Sequence, residues 1–511
     1  MAFRYTYPLN IARSDASNYL AMITSLKSNL IHASGYPLVV GLLAHALFKV
    51  PSYAVDNARF LSKLETLQLV LHLILSLISA MIIRRVFGRT AACLFFLFWN
   101  VSTFFMSYVC LTQPEWLQAD VIALASAVSL KGFYYDKHKL SLYSLSATLF
   151  TMAYLIKYNS IIFVPFLVWL MIIDLGSSPR VFAKACAFCG VPSVLVIACF
   201  VAFFHQPSTG TSKLNYNQAW VLLGKFYLTF GDQPIKNPSG LAAMRLHAIS
   251  AVIPQNYAAA FAYGSINDVA PAIVRAPYRS DFDATMRMSS TELAAFDADH
   301  PLPPNFSLSI AAVPVYYFVG LPEGEQIGVP VFWEGVFANP RLVFSNVLKL
   351  MSRFDYSAAA VPAVPLRGRL GDLDPIAKTP GGFLSFAVKN EKVPLFQPFW
   401  SPDLRIWSPG MNFFSFLHTW DVAASLQRVP GLIFIFLLSI LFAPGKDRVV
   451  AIGLAGVYGS FVFASNFIFL FRDKEAAALW PFSCLLLGLF VHWAIFRAKT
   501  MMPQRSKNHP P

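Results

Sequence analysis

Nine stretches of the chain are apolar over lengths that approach the thickness of a bilayer: about residues 60–83, 91–110, 118–131, 141–156, 160–174, 185–204, 431–443, 449–470 and 479–496. A hydrocarbon core about 30 Å thick takes roughly 20 helical residues. The shorter stretches therefore run on into their polar flanks. Lipid offers no hydrogen bonds, so a spanning segment must satisfy its backbone internally, as a helix does. The pattern predicts an all-α polytopic membrane protein with about nine transmembrane helices. It divides the chain into a first loop with juxtamembrane helices (1–59), a six-helix block (60–204), a long intervening region (205–430), a three-helix block (431–496) and a basic tail (497–511). The intervening region is rich in Pro, Gly and aromatic residues. Its clearest helical period is Leu342–Phe354, with Leu342, Val343, Val347, Leu348 and Met351 expected on one side.

The loops between the stretches alternate in charge. Arg84, Arg85 and Arg89 follow the first stretch. Lys131, Lys137 and Lys139 follow the third, Arg180 and Lys184 the fifth, Lys446 and Arg448 the seventh, and Arg497, Lys499, Arg505 and Lys507 the last. Basic short loops stay on the cytoplasmic side. The other connections then face outward: Thr112–Leu117, the Lys157–Asn159 corner, the whole of 205–430, and Arg472–Glu475. This places the segment before residue 60 outside as well. Gly41–Val50 reads as a helix on the outer membrane surface, and a further spanning helix is expected upstream of Met1. The alternative is that Tyr36–Val50 itself spans and the N-terminus is cytoplasmic.

Composition agrees with the pattern. Of 511 residues, 56% are hydrophobic and 13% charged, against about 25% charged in soluble domains. The net charge of +14 does not imply nucleic acid. The region 205–430 holds 17 Lys/Arg against 16 Asp/Glu, so the excess lies in the short loops. The six cysteines sit in or beside the apolar stretches and read as packing residues.

Near the start the chain reads Ser14-Asp15-Ala16-Ser17-Asn18-Tyr19, then Ser34-Gly35-Tyr36-Pro37-Leu38, then Asn57-Ala58-Arg59-Phe60-Leu61-Ser62 into the first stretch, closing on Arg84-Arg85-Val86-Phe87-Gly88. This order resembles the C-type multi-pass membrane glycosyltransferases, in particular protein O-mannosyltransferases and lipid A aminoarabinose transferases. The resemblance covers roughly residues 10–175 and includes a helix–Lys–helix corner at Lys157-Tyr158 before Pro165. It is looser at the last stretch, preceded by Arg472, and absent from 205–430. It implies transfer of a sugar from a polyprenyl-phosphate carrier to an acceptor lipid, glycan or protein. The expected setting is the outer face of a bacterial inner (plasma) membrane, with membrane lipids and no nucleic acid as partners. It further implies no metal, no cofactor beyond the lipid-phosphate sugar as co-substrate, and inversion at the anomeric centre.

The chemistry needs a carboxylate to take the acceptor proton and cations to hold the leaving phosphate. Asp15 stands where the family has its catalytic acid; the competing role is a helix cap. Asp120, at the outer end of the third stretch, is a second catalytic candidate, or a solvated boundary residue. Lys157, Arg59 and Arg472 are candidates for the donor phosphate. Against this, Lys157 can snorkel to headgroups and Arg472 can pair with Asp473 or Glu475. Tyr19 and Glu115 are candidate lining residues; packing and solvation compete. His32 and His45 read as interfacial. The acidic pairs Asp281–Asp283, Asp297–Asp299 and Asp372–Asp374 read as turn residues rather than a metal site. Two other classes remain open: a transporter or flippase for a lipid-linked saccharide, and a non-catalytic envelope assembly protein. Stretches nearly free of charge argue against the transporter.

Overall fold

The computed structural model describes residues 14–51, 58–109, 112–135, 137–176, 178–255, 277–303, 306, 312–353, 429–468 and 473–501. Among them there is no strand, and the chain is a polytopic helical membrane protein. A helix stands at each of the nine predicted stretches: α3 (Ala58–Phe87), α4 (Arg89–Val101) with α5 (Thr103–Val109), α6 (Glu115–Tyr134), α7 (Lys139–Ile156), a 3-10 turn (Tyr158–Phe163) leading into α8 (Val164–Leu175), α9 (Pro179–Phe200), α17 (Val429–Phe442), α18 (Gly445–Ile468) and α19 (Asp473–Met501). Among the described residues, five helical segments are long and apolar enough to cross a membrane on their own composition: Arg59–Phe87, Tyr158–Leu175, Pro179–Thr209, Gly445–Ile468 and Ala477–Ala498. The second predicted stretch is two helices, because Ser102 adopts an extended conformation between them.

Ahead of the bundle lie α1 (Ser14–Ser25) and α2 (Gly35–Leu47). With 13 residues, α2 reaches about 20 Å, short of a bilayer core. Between the two blocks come α10 (Gln218–Phe230), α11 (Leu241–Val252), α12 (Arg279–Arg287), α13 (Ser290–Asp299), α14 (Ala312–Phe318), α15 (Leu321–Ala338) and α16 (Pro340–Arg353). The expected Leu342–Phe354 periodicity is realised in α16 with a narrower face. Val343 and Val347 are buried, whereas Leu342 and Leu348 are exposed.

The core is centred on α6, which packs against α3, α7, α8 and α19. Seventeen of its 20 residues are buried, so it is surrounded and needs no polar face. The two sequence blocks interlock: α19 packs on α4 and α6, and α18 on α8. At the end of α6, Asp447 accepts hydrogen bonds from the Tyr134 hydroxyl and, at 2.7 Å, from Trp493 Nε1. Lys446 Nζ donates to the Phe133 carbonyl at 2.6 Å. Helices α10 to α15 enclose a second core that includes Leu223, Phe226, Leu246, Ile249, Phe282 and Val331. There Glu334 accepts from the backbone N–H groups of Ala242 (3.2 Å) and Ala243 (2.9 Å), which caps the start of α11.

Candidate active site

The site lies at the end of the bundle opposite Asp447, where α6 begins. The segment Thr112–Gln118 enters α6 through Pro114, and its side chains turn inward: Thr112, Gln113, Glu115, Trp116 and Gln118 are all at most 2% exposed. Lys157 ends α7 in an extended conformation. Its Nζ donates to Glu115 Oε1 at 3.0 Å. Gln118 Nε2 donates to Asn159 Oδ1 (2.7 Å) and Ser160 Oγ (2.8 Å). The corner between α7 and α8 is thereby fixed to the first turns of α6.

Helices α1 and α2 close over the same corner. A Cβ on Gly35 would stand 2.6 Å from the backbone carbonyl of Leu155 and 2.8 Å from Ile156 N. Only glycine lets the start of α2 seat on the last turn of α7. The Tyr36 that follows donates from its hydroxyl to Gln68 Oε1 at 2.6 Å, and Gln68 Nε2 donates to the Val109 carbonyl at 3.0 Å. Edge-on ring contacts join Tyr19 to Tyr36 (5.6 Å between centroids) and Tyr36 to Trp116 (6.2 Å). Asn18 Nδ2 lies 3.1 Å from His32 Nε2. The linker between the helices is held from the far side: Ser28 Oγ is 2.6 Å from His205 Nδ1, and Tyr216 N donates to the Leu30 carbonyl at 2.8 Å.

The structure thus brings together Tyr19, Glu115 and Lys157. Asp15 is the second residue of α1, one turn before Tyr19; its side chain lies outside the described residues. Arg472 also lies outside them, as do Asp372 and Asp374. Arg59 is exposed in the first turn of α3 and is not part of the cluster. Asp283 takes an ion pair from Arg279 at 3.0 Å, and Asp297 stands 4.0 Å from His247.

Asp120 lies one turn deeper than Trp116, and its environment differs from the expected solvated boundary. It is fully buried, and His72 Nδ1 lies 2.9 Å from its Oδ1 and 3.2 Å from its Oδ2. The His72 ring is wedged against Trp99 and Phe105 (centroids 5.5 and 5.3 Å). The bundle therefore does contain an ionisable pair. His72 was overlooked in the sequence because one histidine in an apolar stretch carries no periodicity; its signal was its mere presence there.

Several buried groups retain hydrogen-bonding capacity with no partner among the described residues. They are Thr112 Oγ1, both amide atoms of Gln113, Glu115 Oε2, Trp116 Nε1 and Gln118 Oε1, with His72 Nε2 and Trp99 Nε1 below them. Native proteins leave few such groups, and each costs about 1–3 kcal/mol unless something polar satisfies it. Five side chains within seven residues, beside an ammonium, thus carry buried polar groups with unused hydrogen-bonding capacity.

Residues 38–204 match the family model described as dolichyl-phosphate-mannose-protein mannosyltransferase. The matched stretch runs from α2 through α9 and includes Glu115, Asp120 and Lys157. No curated protein and no solved structure matches the chain.

Proposed function

From a chain that carries a mannosyltransferase-type block at 38–204 and resembles the C-type membrane glycosyltransferases, we propose transfer of a sugar from a polyprenyl-phosphate donor to an acceptor on the extracytoplasmic side. The observation that carries this reading is the cluster of buried polar groups with unused hydrogen-bonding capacity at Thr112–Gln118, beside Lys157. The phosphate of the donor takes the Lys157 ammonium, which Glu115 holds in place, and sugar hydroxyls take the unused groups of Gln113, Thr112 and Gln118.

The acceptor oxygen attacks the anomeric carbon as the bond from that carbon to the phosphate oxygen breaks. The electron pair leaves on the lipid phosphate. The hydroxyl proton passes to the Asp15 carboxylate, and a single displacement inverts the anomeric centre. Lys157 offsets the charge that grows on the phosphate; Arg472 and Arg59 are assigned the same task at longer range. No metal is assigned to these steps, because the cation is supplied by side chains. Asp120, bonded to His72, positions the start of α6. The membrane is read as a bacterial inner membrane with a cytoplasmic C-terminus, from the alternation of basic loops.

A saccharide transporter would need a polar path through the bundle. Four of the inward polar residues of α3, Gln68, His72, Ser76 and Ser79, are at 0% exposure and bonded within the bundle, which favours transfer chemistry. Membranes containing the chain should move label from radiolabelled polyprenyl-phosphate sugars to an acceptor. Asp15→Asn should lower the rate about 10²–10⁴-fold, the usual worth of a general base. Undiminished transfer by that variant removes Asp15 from the mechanism; lipid-linked label that changes leaflet without transfer supports the transporter.

A further inference from the structure

We infer that the corner between α15 and α16 is a membrane-seated element, with its aromatic edge inserted among the acyl chains of the outer leaflet. The residues concerned lie in the long region between the two blocks, outside every apolar stretch that predicts a span.

Four observations lead there. First, the exposed surface at this corner is large and apolar: Phe337 is 77% exposed, Phe344 53%, Leu348 48% and Trp333 41%. Soluble surfaces seldom leave such side chains contiguous. Second, the patch continues the surface of a spanning helix. Phe344 meets Phe463 of α18 (centroids 6.0 Å), Trp333 meets Phe467 (6.2 Å), and Trp333 stacks on Phe337 (5.9 Å). Phe463 is five residues from the end of α18 at Ile468, so it lies about 7–8 Å inside that end at 1.5 Å per residue. Among these rings Trp333 is of the type that anchors where hydrocarbon meets headgroups, and the phenylalanines around it suit the acyl side.

Third, the level is the outer one. The start of α18 is bonded to the last turn of α6 through Asp447 and Tyr134. Phe463 and Phe467 therefore lie toward the opposite end, where α6 begins and Lys157 sits. Fourth, α16 has the charge pattern of an interfacial helix. Val343 and Val347 are buried beneath it, and Phe344 and Leu348 extend the same apolar arc to one side. Arg341 and Lys349 are exposed, and the helix has no acidic residue. Basic residues beside an apolar arc suit anionic lipid headgroups. Helices α12 and α13 of the same region instead expose Asp281, Arg287, Glu292 and Asp299, as a face in water should. The region thus has a wet side and a lipid side, and α15–α16 seats it on the membrane beside the site.

The test is photocrosslinking in nanodiscs of phosphatidylethanolamine and phosphatidylglycerol. p-Benzoylphenylalanine replaces Phe337 or Phe344, which keeps an aromatic side chain at each position. Leu77, 50% exposed on α3, is the lipid-facing reference, and Thr291 on α13 is the water-facing one. Mass spectrometry should find lipid adducts at 337 and 344 at yields within a few-fold of position 77, and none at 291. Adducts to another segment of this chain or to a second copy would replace lipid as the occupant and overturn the inference. So would the absence of lipid adducts at 337 and 344 in a preparation where position 77 gives them.

Discussion

The Asp120–His72 pair shows how a single contact can change the meaning of a candidate residue. A carboxylate at the start of an apolar stretch is ambiguous between reaction and solvation. Full burial against an imidazole removes the solvated reading and sets a positioning role beside the catalytic one. Removing one partner leaves an uncompensated polar group, at a cost of about 3–5 kcal/mol for buried pairs. Asp120→Ala and His72→Ala should each lower the thermal unfolding midpoint in detergent by several degrees, and the double variant should cost less than the two singles added. A positioning role for Asp120 predicts loss of stability and transfer together; transfer lost at an unchanged midpoint would make Asp120 a catalytic residue instead. Lys225 gives a second prediction at this scale. It is buried, donates to Asn346 Oδ1 at 2.7 Å, and burial pushes its pKa down to about 8. The unfolded chain holds that proton to about pH 10.4. Between the two values the unfolded state binds more protons, so stability rises with pH. The thermal midpoint should therefore gain from pH 8 to pH 10 by more in the wild type than in Lys225→Met.

At the scale of elements, the sequence was most legible where the period was long. Apolar runs of 13–24 residues sufficed to place helices in all nine expected positions, because lipid permits little else. The break at Ser102 was invisible, since Ser is compatible with a helix and its extended backbone is set by the packing of α4 and α5 around it. In α16 the expected apolar face was too wide: Leu342 and Leu348, on its two flanks, are exposed, and Val343 and Val347 between them are buried. The Ser34-Gly35-Tyr36-Pro37 segment was noted as a resemblance, whereas its physical reason, the seating of α2 on α7, needed coordinates. Gly35→Ala should push α2 off the Leu155 backbone. A misplacement of about 1 Å can cost 10²-fold in rate, so transfer should fall steeply while helix content by circular dichroism stays the same. Transfer at the wild-type rate would show that α2 does not shape the site.

Over the whole molecule, the two blocks of spanning helices are one bundle, divided in sequence by a region that rejoins it near the C-terminal end of α18. The Tyr134–Asp447–Trp493 junction ties α6, α18 and α19 at one end, and the Glu115–Lys157 pair ties α6 and α7 at the other. Asp447→Ala removes two hydrogen bonds to a charged acceptor, each worth about 1.5–3 kcal/mol. It should lower the unfolding midpoint and leave the KM for donor unchanged if the chemistry is confined to the opposite end. The candidate site was only partly legible. Lys157 and Glu115 stood out as charges at stretch ends, but the buried polar cluster of Thr112–Gln118 was not visible, because neutral Gln and Thr in a loop carry no signal until their burial is known.

In the proposed reaction, the corner of Thr112–Gln118 and Lys157 receives a lipid phosphate carrying a sugar. Its most direct test is photolabelling in membranes with a polyprenyl phosphate that bears a diazirine close to the phosphate. Labelled peptides should come from 112–118 and 157–160, competed away by unlabelled polyprenyl phosphate and reduced about tenfold in Lys157→Met, the loss expected for about 1.4 kcal/mol of charge-assisted contact. Labelling confined to other helices, or equal labelling of the variant, would contradict it.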